Sequence, residues 1–376
     1  MFICKILLRK EGEKMVKTIS LFSGGGGLDI GFKKNGFDII FAIDNDRQAV
    51  ESYRSNVGKE IVCEDITKID IEKLPPADVV IGGPPCQSFS LVGKRKTTDE
   101  RAKLVWKYMD IIAAIKPKFF VFENVIGLKS AKTEIGTKVI DDLKTSFEGL
   151  GYSVEIATLN AADYGVPQRR KRVILVGNRI GIKFSFPEAT HNENGEYGLE
   201  PWVSVEEAIG DLGKATENGI SIYDTIPQNK YQKEMRENIC SDKLENHFYP
   251  KMSELDKQII SYVKPGGNYM DVPDSVPSNR IKTFKKTGGR TTCYGRLLPE
   301  KPAYTINTHF NRPNVGCNIH YSENRLITVR EAMRLQSFPD DYVIHSTTKR
   351  GYHTVVGNAV PPILSRSLAK KIKKYL

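Results

Sequence analysis

The chain of 376 residues predicts an α/β protein with a doubly wound sheet and a second, smaller domain. Three observations carry that expectation. From residue 17 to residue 176, short β-branched or aromatic runs alternate with stretches of helical periodicity, the pattern of a sheet covered on both faces. A glycine run follows the first strand and an acidic residue ends the second, as in open sheets that hold a ligand at their carboxyl edge. Beyond Gly177, residues 180–320 turn to Gly, Pro, Asn and Lys with weak periodicity, which marks a second unit.

Composition narrows the class. A hydrophobic content of 40% with 27% charged residues is ordinary for a soluble globular protein. The formal charge of +11 favours a polyanionic partner. Six cysteines, at 4, 63, 86, 240, 293 and 317, include no Cys-x-x-Cys pair. That argues against a zinc site or a disulfide framework and fits a reducing cytoplasm. No apolar run approaches the roughly 18 residues of a membrane span. Met15 directly precedes the first good strand, so residues 1–14 read as an upstream extension, without the features of a signal peptide.

Residues 17–22 form the first expected strand and run into Ser23-Gly24-Gly25-Gly26-Gly27-Leu28, after which a helical stretch ends near Asn35-Gly36. A nicotinamide-dinucleotide loop fails here because Asp29 stands at the last glycine position, and no Gly-Lys-Ser/Thr follows to make a P-loop. Residues 39–43 make the second strand, which ends at Asp44. An acid about 20 residues beyond a glycine loop suits a pair of ribose hydroxyls. Asp46 competes for that role, and a solvated carboxylate or helix cap is the structural alternative. A third short strand leads to the turn Glu64-Asp65-Ile66-Thr67.

Residues 77–81 read as a buried strand that Gly82-Gly83-Pro84-Pro85 stops sharply. The prolines restrict themselves and their predecessors, so Cys86 enters a stiff loop at a strand's carboxyl end. A buried structural cysteine is the bland alternative. Lys94-Arg95-Lys96 follows, either a contact for DNA or a solvated segment. Residues 101–115 predict a helix with Leu104, Tyr108, Ile111, Ile112 and Ile115 on its core face, ended by Lys116-Pro117. Residues 119–122 form a strand that delivers Glu123-Asn124-Val125, and a carboxylate buried there needs a partner. A helix over 136–150 should turn Ile140, Leu143, Phe147 and Leu150 inward. A strand over 152–159 then leads into Gln168-Arg169-Arg170-Lys171-Arg172 and a further strand over 173–176. In an extended segment Gln168, Arg170 and Arg172 would share one face.

Between Arg280 and Arg296 stand six basic residues and no acid, with threonines and Gly288-Gly289 among them. Such a stretch can neutralise phosphates and follow a groove. Thr328 and Glu331 make a capping box. Gly357-Asn358-Ala359-Val360-Pro361-Pro362 opens a terminal helix whose Ile363, Leu364, Leu368 and Ile372 can face the core.

The four-glycine run, Pro84-Pro85-Cys86-Gln87, Glu123-Asn124-Val125, Gln168-x-Arg170-x-Arg172 and Gly357-Asn358-x-Val360-Pro361 occur in an order that resembles the cytosine-5 DNA methyltransferase family. The resemblance spans nearly the whole chain. It implies a Rossmann-like catalytic domain over 15–185, a target-recognition domain over 186–344, and a segment over 345–376 that completes the catalytic domain. It implies a sequence-specific enzyme that methylates carbon 5 of a flipped-out cytosine through a Cys86 adduct. Glu123 would hold ring nitrogen 3, Arg170 would orient the base and Glu123, and Arg172 would support them. For S-adenosylmethionine it implies Phe22, Gly24, Gly26, Gly27, Leu28, Asp44, Asp65, Ile66, Pro84, Asn358 and Val360, and it implies no metal. Phe22 would stack on the adenine, Asp65 accept from its amino group and Ile66 pack on its face, while Asp44 stands where the family usually has Glu. Gln87, Ser90, Arg290 and Arg296 are the expected DNA contacts. The implied setting is a cytoplasmic monomer acting on double-stranded DNA, with a cognate restriction endonuclease for the same site as a candidate partner. A non-catalytic DNA-binding protein and a transfer-RNA methyltransferase are the rival readings; the long variable region from 180 to 320 favours DNA.

Overall fold

The structure is a computed structural model that describes residues 15–85, 100–133, 136–239 and 241–376. The chain divides into two compact units. The described residues of the first are 15–160, 171–188 and 362–376, and those of the second are 161–170 and 189–361, with residue 240 and the gaps above excepted. The resemblance implies divisions at 185 and 344; the two compact units divide at 188 and 361, with 161–170 as an excursion.

The first unit is built on seven strands. They are β1 (Val16–Leu21), β2 (Phe37–Asp44), β3 (Ile61–Cys63), β4 (Val79–Gly82), β5 (Phe119–Val125), β6 (Ser153–Asn160) and, after the two-residue β7 (Gln168–Arg169) of the second unit, β8 (Lys171–Asn178). Their order is β3-β2-β1-β4-β5-β8-β6. The first five are parallel, and β8 runs antiparallel to both β5 and β6. The strand order reverses direction between β1 and β4, so two carboxyl ends diverge there and leave a crevice for a ligand. Register sharpens this. Ile43, Leu21, Gly82 and Phe122 pair across β2, β1, β4 and β5. Asp44, Phe22, Gly83 and Glu123 therefore stand one residue further on, in a row at the carboxyl edge.

Among the described residues four helices connect these strands: α1 (Gly27–Lys33), α2 (Arg47–Asn56), α3 (Glu100–Ile115) and α4 (Val139–Gly149). On α3 Tyr108, Ile111 and Ile112 are fully buried, with Val105 and Met109 beside them, while Leu104 and Ile115 are half-buried. On α4 Ile140, Leu143 and Phe147 face inward, and Leu150 does not. It is 39% exposed because the helix has ended and Leu150 is its cap; Val139, at the other end, takes the inward place. Phe120 meets Phe147 at 4.3 Å and Tyr108 meets Phe122 edge-on at 5.4 Å, forming the aromatic centre of this core. The C-terminal helix, Pro362–Lys373, returns to α1 and buries Ile363, Leu364, Leu368 and Ile372. Glycine is required where they meet, since a Cβ on Gly31 would lie 2.3 Å from the Arg366 backbone nitrogen.

The second unit is irregular, with helices α5 (Val205–Ile209), α6 (Lys230–Met235), α7 (Glu254–Tyr262), α8 (Asn279–Thr287), α9 (Val329–Leu335) and α10 (Lys349–Asn358) and strands of two or three residues. A small apolar cluster includes Ile259, Ile260, Tyr269, Ile281, Tyr294 and Leu326. Buried charge does the rest. Arg334 is fully buried between Asp211 at 3.0 Å and Asp340 at 2.5 Å. The expected capping box forms at Thr328 and Glu331, and Glu331 also receives Arg325 through two bonds of 2.8 and 2.9 Å. Among the described residues no helix is long and apolar enough to cross a membrane.

Candidate active site

The row at the carboxyl edge holds Phe22, Asp44 and Glu123 of the expected site. Phe22 leaves β1 with φ 55, a left-handed conformation unusual for an aromatic residue, and packs one side against the sheet core. Gly24 has φ 53, and a Cβ there would point into open space, so the loop leaves room above it. Gly26 has φ 82, and its Cβ would strike Val57 at 2.6 Å and the Tyr53 ring at 2.9 Å. Gly27 and Leu28 begin α1, with both buried. Asp44 accepts from the Gly24 nitrogen and the Asp46 nitrogen, each at 2.8 Å. Burial raises the Asp44 pKa, and those backbone donors offset part of the rise. Asp46, the competing acid, is the cap of α2, accepting from Gln48 and Ala49. Asp65 caps the next short turn through Thr67, with bonds of 2.9 and 2.8 Å that lower its pKa. Ile66 is 4% exposed and belongs to the sheet core.

Glu123 has a charged partner. Its Oε1 lies 2.9 Å from Arg172 Nε, with both side chains about one-tenth exposed, at 12% and 11%. Register explains the pair: Val125 faces Arg172 across β5 and β8, and Glu123 lies two residues from Val125 on the same face. The other oxygen, Oε2, sits 2.8 Å from where a Cβ on Gly83 would stand. Glycine at 83 is what lets the carboxylate lie against the start of the proline loop. Asn124, which the sequence reading passed over as part of its motif, donates to the Pro84 carbonyl at 2.8 Å. It ties that loop to the end of β5 two residues before Cys86. Cys86, Gln87, Ser90 and the basic residues 94–96 lie outside the described residues.

Two expectations are corrected. Gln168, Arg170 and Arg172 do not form one extended face. The Arg170 nitrogen donates back to the Gln168 carbonyl at 3.0 Å, a tight turn that separates β7 from β8. Arg170, 1% exposed, donates to the carbonyls of Ile306 at 2.9 Å and Gly357 at 2.8 Å. Gln168 likewise bonds Leu335 and Gln336, so both residues bind segments of their own unit together. The guanidinium that meets Glu123 is Arg172. The second correction is Arg296, which is 5% exposed. Its N–H groups go to Val263, Ile260, His320, Glu323 and Asn324, which uses all five donors of the group internally. Arg290, by contrast, is exposed, just beyond the left-handed Gly288 that ends α8. Asn358 is exposed at the end of α10 and Val360 is buried, both in the second unit. No group of metal-ligating side chains occurs among the described residues.

A parallel sheet with a reversed β8, a glycine loop after β1 and an acid after β2 defines the Rossmann-like methyltransferase fold. Solved structures agree on that fold. The chain matches a protein described as a prophage-encoded DNA modification methyltransferase (E. coli) with a TM-score of 0.71, at 22% identity, over 96% of this chain and 99% of that one. It matches the S. pombe Dnmt2 methyltransferase with a TM-score of 0.59, at 17% identity, over 96% and 99%. Sequence comparison is more specific. The family model of C-5 cytosine-specific DNA methylase matches residues 16–374. The type II methyltransferase M.NgoFVII of Neisseria gonorrhoeae is 37% identical over 362 residues, covering 95% of this chain and 86% of that protein. M.DdeI of Desulfomicrobium norvegicum is 35% identical over 381 residues, covering 96% and 89%. The chain belongs to the C-5 cytosine-specific DNA methylase family and is a DNA cytosine-5-methyltransferase.

Proposed function

We propose that the protein methylates carbon 5 of a flipped-out cytosine in a specific DNA sequence, through a covalent adduct at Cys86. The observation that carries this reading is the Glu123–Arg172 pair at the end of β5, with Oε2 turned toward Gly83 at the start of the proline loop. The loop residues fit S-adenosylmethionine: Gly24 leaves open space, Phe22 offers a ring, and Asp44 keeps free lone pairs beside the loop for hydroxyls. Gly26, Gly27, Leu28, Asp65, Ile66 and Pro84 complete that assignment, and Asn358 and Val360 are assigned by the family pattern alone. When bound, S-adenosylmethionine supplies an electrophilic methyl group on a sulfonium.

Carbon 5 of cytosine is a weak nucleophile because the ring is electron-poor. The Cys86 thiolate adds to carbon 6, and Glu123, held by Arg172, stabilises the proton at ring nitrogen 3. Carbon 5 then has enamine character and takes the methyl group. Loss of the carbon 5 proton expels the Cys86 sulfur and restores the aromatic ring. A free thiol with a pKa of about 8.5 is only a few per cent ionised at neutral pH, so the loop must favour the thiolate. The base must leave the stack for sulfur to reach its face. The second unit, residues 189–361, supplies target recognition, with the exposed Arg290 among its DNA contacts. Since the relatives above carry type II names, a cognate endonuclease acting on the same site is the proposed partner of a cytoplasmic, monomeric enzyme.

A duplex carrying 5-fluorocytosine at the target tests this reading. Adduct and methyl transfer proceed, but fluorine cannot leave as a cation, so the enzyme stays joined to DNA. The conjugate should require S-adenosylmethionine, survive a denaturing gel and map to Cys86 by peptide mass. Normal turnover on that duplex, a conjugate at Cys63 or Cys293, or methylation of transfer RNA in preference to DNA would sink the proposal.

A further inference from the structure

Asp29 takes no part in the chemistry above, yet its placement is unusual. It lies in the first turn of α1 and is fully buried. Oδ1 accepts the Tyr53 hydroxyl of α2 at 2.9 Å, while Oδ2 has no hydrogen-bond partner among the described residues. Tyr53 is itself fully buried, and its ring closes on Gly26, where the loop turns left-handed into α1. On the other side stands Ser20 of β1, whose hydroxyl eases the same carboxylate and accepts from the Ser23 hydroxyl at 2.9 Å. Ser23 begins the loop, and the Ile43 carbonyl holds its nitrogen at 3.1 Å. Both ends of the loop, Ser23 and Gly26, thus rest on groups that touch Asp29.

An amide or an apolar side chain would fill this place at lower cost than an ionisable group with one oxygen unmet. Burial pushes the Asp29 carboxyl up to about 6, with the Ser20 and Tyr53 hydroxyls acting to lower it and the charge of Glu60 adding to the rise. The charged groups on the elements packed here are Lys33 of α1, which pairs with Glu60 at 3.8 Å, and Arg366 and Lys373 of the C-terminal helix that packs on α1.

We propose that Asp29 and Tyr53 are positioning residues for the methyl donor: the Asp29 carboxylate holds Tyr53 under Gly26 and so keeps the glycine loop in its binding shape. Protonation weakens that hold, because a hydrogen bond to a charged acceptor is roughly twice as strong as a neutral one. Cofactor affinity therefore falls as pH drops through the Asp29 titration. The inference rests on the glycine loop being the cofactor site.

The test is direct binding of S-adenosylmethionine to the full chain across pH 5 to 8, for wild type, Asp29→Asn, Tyr53→Phe and Gly24→Leu. Wild type should bind more weakly below the titration, and both Asp29→Asn and Tyr53→Phe should raise Kd roughly tenfold at pH 8, the scale of one lost bond to a charged group. Asp29→Asn should show a flat pH profile. Asp29→Glu should not restore affinity, since the longer arm displaces the ring. Kd within twofold of wild type in both variants, or a pH profile in Asp29→Asn that still matches wild type, overturns the inference. If Gly24→Leu also binds normally, the assignment of the loop to the cofactor fails as well, so the two failures are separable.

Discussion

The two units treat buried charge in opposite ways. In the second unit Arg334 sits between two aspartates, Arg325 forms two bonds to Glu331, and Arg296 satisfies all its donors internally. In the sheet unit one Asp29 oxygen has no hydrogen-bond partner among the described residues, and Glu123 has one oxygen on Arg172 and the other beside a glycine. The difference follows from what else holds each unit together. Seven strands and an aromatic core form the frame of the first. The second has strands of two or three residues, so paired guanidinium groups replace the missing ladder by gathering carbonyls and carboxylates. Charge that is completely paired specifies shape, and charge left incompletely paired at a strand end is available for chemistry.

That contrast breaks most easily at Arg334. Arg334→Met leaves Asp211 and Asp340 buried without their shared partner, and removal of one side of a buried pair costs about 3–5 kcal/mol. Urea unfolding should register that loss. Arg172→Gln should do the reverse: kcat falls roughly 100-fold or more, as for loss of an electrostatic group at a reacting centre, with little change in unfolding midpoint. If Arg172→Gln unfolds the protein and Arg334→Met merely slows it, the division of labour argued here is wrong.

Acid titration sharpens the same comparison, because Asp29 and Glu331 should shift stability in opposite directions. Burial raises Asp29 from 3.8 to about 6, so the unfolded chain ionises first. Its cost is absent below 3.8, grows as pH rises, and is complete above about 6. At 1.36 kcal/mol per pH unit, the upper bound is about 3 kcal/mol, which Asp29→Asn should recover at pH 8 and not at pH 4. For Glu331 burial opposes the shift, but the Arg325 guanidinium and its hydrogen bonds hold the carboxyl down at about 2. Its contribution is fully present above the ordinary 4.5 and disappears as pH falls through about 2. Melting temperatures of Asp29→Asn and Glu331→Gln across this range should therefore diverge with opposite slopes.

The parts of the site that could be read from sequence are those fixed by local stereochemistry. Gly82 to Pro85 stop a strand wherever they fall, so the row of Asp44, Phe22, Gly83 and Glu123 was in effect visible as four strand ends. Leu150 was misplaced because a helix can end one residue before its periodicity does. The shared face of Gln168, Arg170 and Arg172 fails because alternation assumes an unbroken extended chain, and here the Arg170 nitrogen turns back to the Gln168 carbonyl. Arg296 is hidden from sequence for another reason. Its acceptors are carbonyls at the end of α7 and just beyond it and in the 320–324 turn, and no local pattern announces a guanidinium that gathers distant backbone. In the sequence Asp29 does no more than spoil a dinucleotide fingerprint, and its burial is a tertiary fact.

The smallest expected effect lies on α8, where the same basic stretch contains both kinds of arginine. Ile281 is buried and Phe284 packs beside it, while Lys282, Thr283, Lys286 and Thr287 are exposed, with Arg290 following. Lys285 is turned away to the Val272 carbonyl and Asp274, so the sequence's run of six cations reduces to fewer that can meet phosphate. A lysine on such a face gives charge without base-edge geometry, so Lys286→Ala should weaken binding to all sequences alike. It should also lower the slope of log K against log salt by about 0.9, one counterion released per phosphate contact. Arg290→Ala separates two roles. A uniform loss with the same change in slope makes it a phosphate contact, whereas a loss of about 1–3 kcal/mol confined to one base pair makes it a reader of guanine. Arg296→Ala should instead lower the melting temperature, and any loss of DNA binding should follow the unfolded fraction. A salt slope that stays at its wild-type value in both Lys286→Ala and Arg290→Ala would take α8 off the DNA.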